Sequence, residues 1–117
     1  MRKASFIFLL MFFQCFITYT QNFKQQLDSL AVVYQFTVKE VTVDSFFKEK
    51  YLLNFKQPVD HQNTESDKFN QRVFVSHYDI EAPVVFITEG YAASHAENTK
   101  FVSELTGLLK TNQVCVE

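Results

Sequence analysis

The sequence predicts an α/β fold made of N-terminal strands and one βαβ unit, and three observations support this. Residues 84–88 (Val-Val-Phe-Ile-Thr) form a continuous β-branched and aromatic run, which is typical of a strand buried on both faces. An apolar stripe at helical spacing follows, and residues 113–117 (Gln-Val-Cys-Val-Glu) return to a strand pattern. Because such crossovers are right-handed, the two strands are expected to be parallel neighbours or near neighbours.

The helix of this unit is predicted to begin at Ser94, because Ser94-His-Ala-Glu97 has the spacing of a capping box. It is expected to end near residues 110–112. Its apolar stripe comprises Phe101, Val102, Leu105, Leu108 and Leu109.

Shorter patterns predict the elements that come before this unit. Leu27, Leu30, Ala31 and Tyr34 recur at helical spacing and indicate an amphipathic helix over residues 24–34. Strand patterns rich in β-branched and aromatic residues follow at 36–43, 51–55 and 71–77, with a polar surface loop at 60–68 and a turn at 78–83.

The first twenty residues have the layout of a signal peptide. Arg2 and Lys3 precede an apolar run from Phe6 to Phe13, which is shorter than the roughly 20 apolar residues of a spanning helix. Cleavage after Thr20 is expected, so that residues 21–117 form the mature chain, secreted or periplasmic and free of the membrane. A retained signal anchor is the alternative.

The charge of the chain argues against a nucleic-acid partner. The predicted signal peptide holds two basic and no acidic residues, so its removal takes the formal net charge from −2 to −4. The remaining lysines are scattered along the chain. Without a basic cluster, the electrostatic attraction that dominates nucleic-acid binding is missing.

The histidines and the cysteine of the mature chain suggest neither a metal site nor a nucleophile. His61, His77 and His95 share no ligand spacing, and each is interpreted as a surface or turn histidine. Cys115 has no basic neighbour to lower its pKa and is interpreted as a buried strand thiol. A G-x-S-x-G elbow and a glycine-rich phosphate loop are also missing from the sequence, so no complete catalytic constellation is expected.

The segment Glu89-Gly90-Tyr91 directly follows the predicted strand 84–88, and two interpretations of it stay open. It can be a plain turn that needs glycine for its φ angle, which spacing alone favours. It can also be the loop that supplies one backbone N–H to an oxyanion hole, where glycine lets the backbone approach a reacting carbonyl.

Four blocks of the sequence stand out together. They are 55–61 (Phe-Lys-Gln-Pro-Val-Asp-His), 69–77 (Phe-Asn-Gln-Arg-Val-Phe-Val-Ser-His), 83–91 (Pro-Val-Val-Phe-Ile-Thr-Glu-Gly-Tyr) and 112–117 (Asn-Gln-Val-Cys-Val-Glu). In this order they resemble one known family, the secreted bacterial prolyl tri/tetrapeptidyl aminopeptidases, and the resemblance spans roughly residues 46–117. Members of that family are serine peptidases of the α/β-hydrolase clan, related to the lysosomal Pro-X carboxypeptidases.

The resemblance implies the opening portion of an α/β-hydrolase fold, with a Ser-Asp-His triad and no cofactor. It implies release of tri- and tetrapeptides, often after proline, from the free amino termini of peptide substrates. The triad is expected beyond Glu117, so the chain is expected to be an incomplete N-terminal part that is inactive by itself. Gly90 and Tyr91 become candidates for the oxyanion loop, and Glu89 becomes a candidate for binding the substrate.

Four further residues match family positions: Gln57, Asp60, His61 and Arg72. Hydrogen bonds that tie the first hairpin to the core explain them better than chemistry, and an Arg72–Asp60 ion pair is expected. An alternative function remains beside the peptidase: a small exported binding or interaction module that lacks the triad.

Overall fold

The computed structural model describes residues 22–117, apart from the side chains of residues 91 and 92. Its elements are α1 (Phe23–Tyr34), β1 (Thr37–Val41), β2 (Glu49–Pro58), β3 (Lys68–His77), β4 (Val84–Thr88), a 3₁₀ helix (Gly90–Glu97), α2 (Glu104–Leu109) and β5 (Asn112–Val116). The predicted signal peptide, residues 1–20, lies outside the described residues.

The five strands form one mixed sheet in the order β1-β2-β3-β5-β4. Neighbouring strands are antiparallel, except that β4 and β5 are parallel. The α/β class and the parallel pairing of the last two strands are therefore confirmed. The first strands are longer or shorter than predicted by a few residues, as is usual at element ends.

Helix α1 begins with a capping box, in which two residues each accept a hydrogen bond from the other's backbone N–H. The Asn22 side chain accepts a hydrogen bond of 2.8 Å from the backbone N–H of Gln25, whose side chain accepts one of 3.2 Å from the backbone of Asn22. The helix ends at Tyr34, and the residue that caps it, Gln35, has a left-handed backbone with φ 56°. The helix packs on the sheet through Leu27, which is buried against Tyr51 and Leu53.

Alternation along the strands gives the sheet two apolar faces. One face packs against α1 and the other against the 3₁₀ helix. The first face holds Leu27, Tyr51 and Leu53, with Phe23, Phe36, Val38, Phe55, Val73 and Val75 around them. The second holds Phe74, Ala93, Ala96 and Cys115, with Leu52, Ile87 and Phe101 around them.

Strand β4 is not buried on both faces, contrary to the prediction. It lies at the edge of the described sheet, where Ile87 packs against the second face while Val84 is 58% and Phe86 64% exposed. Helix α1 packs over β1, β2 and β3 and does not reach this edge. The apolar run predicted the strand correctly, but no element within residues 22–117 covers its outer face.

The single helix predicted from Ser94 is also wrong. Ser94 lies inside the 3₁₀ helix. This helix ends at Glu97, and the backbone of Asn98 is extended, with a ψ of 130°. Helix α2 then begins at a separate cap, where the Ser103 hydroxyl accepts a hydrogen bond of 3.2 Å from the N–H of Thr106. The predicted apolar stripe therefore does not lie on one helix: Phe101 and Val102 fall between the two helices, and its three leucines, which lie in α2, are exposed.

Candidate functional site

The Glu89-Gly90 segment lies at the carboxyl edge of the parallel strands. Strand β4 ends at Thr88, and the backbone N–H of Glu89 then donates a hydrogen bond of 3.1 Å to the carbonyl of Val116 at the end of β5. The chain turns at Gly90 and enters the 3₁₀ helix. Ligand sites of α/β sheets gather at this edge, so the segment is well placed for a functional role.

Gly90 is required here by its backbone angle rather than by crowding. Its φ is +53°, a left-handed conformation that side chains disfavour. A Cβ placed on this residue would meet no heavy atom within 4 Å. The positive φ agrees with a plain turn, while the free space leaves the backbone accessible to another molecule.

A cavity adjoins the turn. Its volume is about 380 Å³, and it is lined by Phe69, Asn70, Gln71, Gly90 and Glu117. This volume falls within the range of ligand pockets, which runs from about 300 to 1,000 Å³. The lining residues include one aromatic residue, two amides and one acid, so the cavity is of mixed apolar and polar character.

The carboxylate of Glu89 stands at the same edge, partly open to solvent. Its Oε1 atom lies 4.0 Å from Nε2 of His95, and its side chain is 35% exposed. The His95 ring in turn packs edge-to-face on Phe101, with 4.4 Å between ring centroids. The geometry therefore leaves the Glu89 carboxylate accessible at the sheet edge.

The 3₁₀ helix rests on the sheet through two small side chains. Ala93 and Ala96 are fully buried against Phe74 and Cys115. Burial raises the pKa of the Cys115 thiol, with the Glu89 carboxylate adding to the effect. Cys115 is thus a buried strand thiol, as predicted, and a poor nucleophile because the reactive form is the thiolate.

Arg72 binds two carboxylates beside this helix. Its Nε and Nη2 atoms donate hydrogen bonds of 2.7 Å each to the two oxygens of Glu117, and Nη1 donates one of 2.9 Å to Glu97. The hydrogen bond from Arg72 lowers the pKa of Glu117, and the same bond raises the pKa of Arg72. Both groups are therefore ionised at neutral pH.

The predicted Arg72–Asp60 ion pair is wrong. The hairpin register pairs Pro58 with Lys68, four residues before Arg72, so the loop that holds Asp60 lies at least about 13 Å further along the strand. Asp60 instead accepts a hydrogen bond of 2.9 Å from the backbone N–H of Gln62 within that loop.

Lys50 is an internal cation that the sequence analysis missed. It is 1% exposed, and its ammonium donates a hydrogen bond of 3.0 Å to the carbonyl of Asn98, just after the 3₁₀ helix. Burial lowers its pKa. Strand alternation could place Lys50 on the same face as Leu52, but only the folded chain shows that a helix end, where cations are favoured, lies above it.

The three histidines lie apart. His61 is exposed in the hairpin loop, and His95 is half-buried beside Phe101. His77, interpreted above as a surface or turn residue, is 7% exposed. It stacks on Phe23 with ring centroids 4.2 Å apart, and its Nδ1 atom lies 3.3 Å from Oε1 of Glu49. That interpretation is therefore wrong for His77, because α1 covers the end of β3.

Residues 22–117 contain no group of three or more histidine, cysteine or acidic residues that could hold a metal ion. In the same part of the chain, no helix combines the length and the apolar character needed to cross a membrane.

Comparison with known proteins identifies the class. The family model described as PS-10 peptidase S37 matches residues 19–117, and the chain belongs to this peptidase family. A curated relative is the prolyl tri/tetrapeptidyl aminopeptidase of Streptomyces mobaraensis, which is 39% identical over 69 residues. The match covers 58% of this chain and 14% of the relative, so the chain spans a small part of that protein's length. No solved structure matches. The resemblance seen in the four sequence blocks is confirmed.

Proposed function

We propose that the chain forms the N-terminal part of an exported serine peptidase with an α/β-hydrolase fold. The enzyme releases tri- and tetrapeptides, often after proline, from the free amino termini of peptides. One observation carries this proposal: in a chain of the S37 peptidase family, a glycine turn with open space around it lies at the carboxyl edge of a parallel strand pair.

The order of elements supports the hydrolase fold. Strand β4 leads through Glu89 and Gly90 into a helical segment that packs back on the sheet. In α/β hydrolases, the loop in this topological place supplies one of the backbone N–H groups that bind the oxyanion. We assign this role to the segment Gly90-Tyr91, with the N–H of Tyr91 as the donor. Such a donor stabilises the charge that develops on the substrate carbonyl oxygen.

Glu89 is assigned to the free amino terminus of the peptide. An ammonium group forms charge-assisted hydrogen bonds with a carboxylate, and the Glu89 side chain is accessible next to the turn. The alternative is an acid that only binds neighbouring groups such as His95. The name of the Streptomyces mobaraensis relative supports an aminopeptidase, since it describes the release of tri- and tetrapeptides.

The catalytic serine, aspartate and histidine are assigned to a part of the enzyme that follows Glu117, and residues 1–20 to a cleaved signal peptide. Residues 21–117 alone then have an oxyanion loop but no nucleophile for it to assist. They are expected to be inactive. Exported localisation is supported by the basic start and the short apolar run of the leader.

The test compares residues 21–117 with the product of the complete reading frame. Both are treated with a fluorophosphonate probe and with Ala-Ala-Pro-p-nitroanilide, and the N-succinyl form of the same substrate serves as the control. The complete protein should be labelled at one serine and should cleave the free substrate in preference to the blocked one. Residues 21–117 should do neither.

Two results would contradict the proposal. Stoichiometric labelling of a serine within residues 21–117 would place the nucleophile in this chain. A reading frame that stops after Glu117 would favour the alternative, a small exported binding module without a triad.

A further inference from the structure

Arg72 connects the end of β5 to the 3₁₀ helix that begins at Gly90. Its side chain donates two hydrogen bonds of 2.7 Å to Glu117, which directly follows β5, and one of 2.9 Å to Glu97, the last residue of the 3₁₀ helix. The backbone continues the connection, because the N–H of Glu117 donates a hydrogen bond of 3.0 Å to the carbonyl of Arg72.

The guanidinium is held in one orientation. Its planar fork matches both oxygens of the Glu117 carboxylate, a geometry that lysine cannot reproduce. The side chain is 29% exposed and that of Glu117 is 25% exposed, so solvent screens this pair less than a surface pair. The guanidinium carbon also lies 5.9 Å from the centre of the Phe74 ring, which supports it from the sheet side.

These contacts fix the helical segment at both ends. At its start, the N–H of Glu89 binds the carbonyl of Val116 at 3.1 Å. At its end, Glu97 binds Arg72, and the carbonyl of Asn98 accepts a hydrogen bond from Lys50. Arg72 also binds Glu117, the residue after Val116. Both the start and the end of the segment are therefore attached to the same end of β5.

We propose that Arg72 is a positioning residue for the Gly90 turn. Through Glu97 and Glu117, it holds the backbone N–H groups of residues 90 and 91 where they can donate hydrogen bonds to a substrate carbonyl oxygen. The catalytic part of this role rests on the proposed function. The mechanical part, that Arg72 orders the segment 90–97, stands independently of it.

The kinetic test uses the complete peptidase with Arg72→Gln and Arg72→Lys. Lys48→Gln is the matched control, because it removes a 2.7 Å ion pair with Asp79 that lies before β4, at the opposite end of the strand. The number of active sites is titrated with the fluorophosphonate, so that kcat refers to folded enzyme only.

We expect kcat per titrated site to fall by about 10- to 100-fold in Arg72→Gln, the range in which a displaced catalytic group reduces turnover. KM should stay within about twofold, since binding energy common to substrate and transition state is unchanged. Arg72→Lys should show an intermediate loss, because it keeps the charge without the fork. Lys48→Gln should match the wild type. A merely structural role would lower the number of titrated sites and leave kcat per site unchanged.

The mechanical test measures amide hydrogen exchange of the same proteins by mass spectrometry. Arg72→Gln should accelerate exchange in residues 90–97 by about tenfold, the effect of losing hydrogen bonds to a charged group, while Lys48→Gln should leave it unchanged. If Arg72→Gln folds poorly, Glu97→Gln removes the contact between Arg72 and the helix alone and should change both readouts in the same direction by less.

The outcomes are distinguishable. Wild-type kcat per titrated site in an active enzyme, or unchanged exchange of residues 90–97, would overturn the positioning role. A complete protein without peptidase activity whose exchange still responds to Arg72→Gln would overturn the proposed function and retain the ordering of the segment by Arg72.

Discussion

Arg72 and Glu117 form a bidentate ion pair between β3 and the residue that follows β5, with two hydrogen bonds of 2.7 Å. The two residues are 45 positions apart in the chain, so the pair links the β2–β3 hairpin to the parallel strands. The hydrogen bond from Arg72 lowers the pKa of Glu117 below its ordinary value of 4.5. Stability should therefore depend on pH through this carboxylate.

The first prediction concerns that pH dependence. A carboxylate whose pKa is lowered by folding stabilises the folded state above its unfolded pKa, about 4.5, and loses this contribution as the pH falls through the folded pKa. Glu117→Gln should therefore lower the free energy of unfolding by about 1–3 kcal/mol at pH 7, as expected for hydrogen bonds to a charged group.

Urea unfolding of the wild type and of Glu117→Gln at pH 7 and pH 3 measures this difference. The difference should shrink at pH 3, because pH 3 lies below the unfolded pKa of Glu117, where the contribution of this carboxylate begins to be lost. An equal difference at both pH values would show that the carboxylate charge does not contribute.

The second prediction concerns Gly90. Gly90→Ala adds a Cβ that meets no atom within 4 Å, so its cost should be that of the positive φ alone, about 1–2 kcal/mol. Gly90→Val should cost more, because a β-branched residue tolerates this conformation worst. In the complete peptidase, Gly90→Val should also lower kcat by about 10²–10³, the effect of losing one oxyanion donor.

Gly107→Ala is the matched control for this substitution. Gly107 lies within α2, and a Cβ there would stand at an ordinary distance of 3.6 Å from Cγ1 of Val102. Alanine should therefore stabilise the protein by up to about 1 kcal/mol. Thermal melting measures the change in stability, and steady-state kinetics measure kcat. An unchanged kcat in folded Gly90→Val would remove the oxyanion assignment.

The third prediction concerns substrate recognition by Glu89. If its carboxylate binds the free amino terminus, Glu89→Gln should reduce kcat/KM for Ala-Ala-Pro-p-nitroanilide and spare the N-succinyl substrate. The ratio of the two values should fall by about tenfold or more, because one charged hydrogen bond is lost. Glu81→Gln, an exposed acid in the turn before β4, serves as the control. Equal losses on both substrates would remove this role.

The fourth prediction concerns Asn112, which holds the turn between β3 and β4. Its side-chain oxygen accepts hydrogen bonds of 2.7 and 3.1 Å from the N–H groups of Tyr78 and Asp79. Its amide nitrogen donates bonds of 2.7 and 2.8 Å to the carbonyls of Asp79 and Ala82. Asn112→Ala should therefore lower the free energy of unfolding by about 2–3 kcal/mol, because partly buried backbone groups lose their partners.

Asn54→Ala provides the comparison in urea unfolding. Its amide makes one exposed contact of 3.5 Å with Thr37, so the change should cost less than about 0.5 kcal/mol. Equal effects of the two substitutions would contradict the structural role of Asn112.

Local patterns predicted the strands well, because side-chain alternation and β-branched runs are properties of neighbouring residues. Residues 84–88 were predicted as a strand with the bounds that the structure shows. The partner of Arg72 could not be predicted in this way. Asp60 is nearer in sequence, but the register of β2 and β3 carries it beyond reach. The pairing of β3 with β5 brings Glu117 opposite Arg72 instead. Register and distant pairing depend on the whole sheet.

The candidate site was predicted in part for the same reason. Glu89 and Gly90 were singled out because a glycine after a strand is a local signal, and their roles stay predictions. Lys50 was missed because a lysine within a strand normally indicates a solvated position, and its partner is the carbonyl of Asn98, 48 residues away. The break in the predicted helix was missed because the capping-box spacing at Ser94 was joined to an apolar stripe that begins only at Phe101, after Asn98.

The last prediction concerns the exposed edge of the sheet. Strand β4 pairs with β5 on one side, and its other side has no strand partner within residues 22–117. Val84 is 58% and Phe86 64% exposed on this strand. An unpaired strand edge with apolar side chains favours association between chains. Residues 21–117 produced alone should therefore associate with rising concentration in sedimentation velocity.

Val84→Lys should reduce this association, because a charge on an edge strand opposes pairing with a second chain. Val59→Lys is the matched control, since Val59 is 65% exposed but lies after β2 in the hairpin loop. It should leave the association unchanged. If residues 21–117 stay monomeric at every concentration, or if both substitutions act equally, the edge of β4 is not the surface responsible.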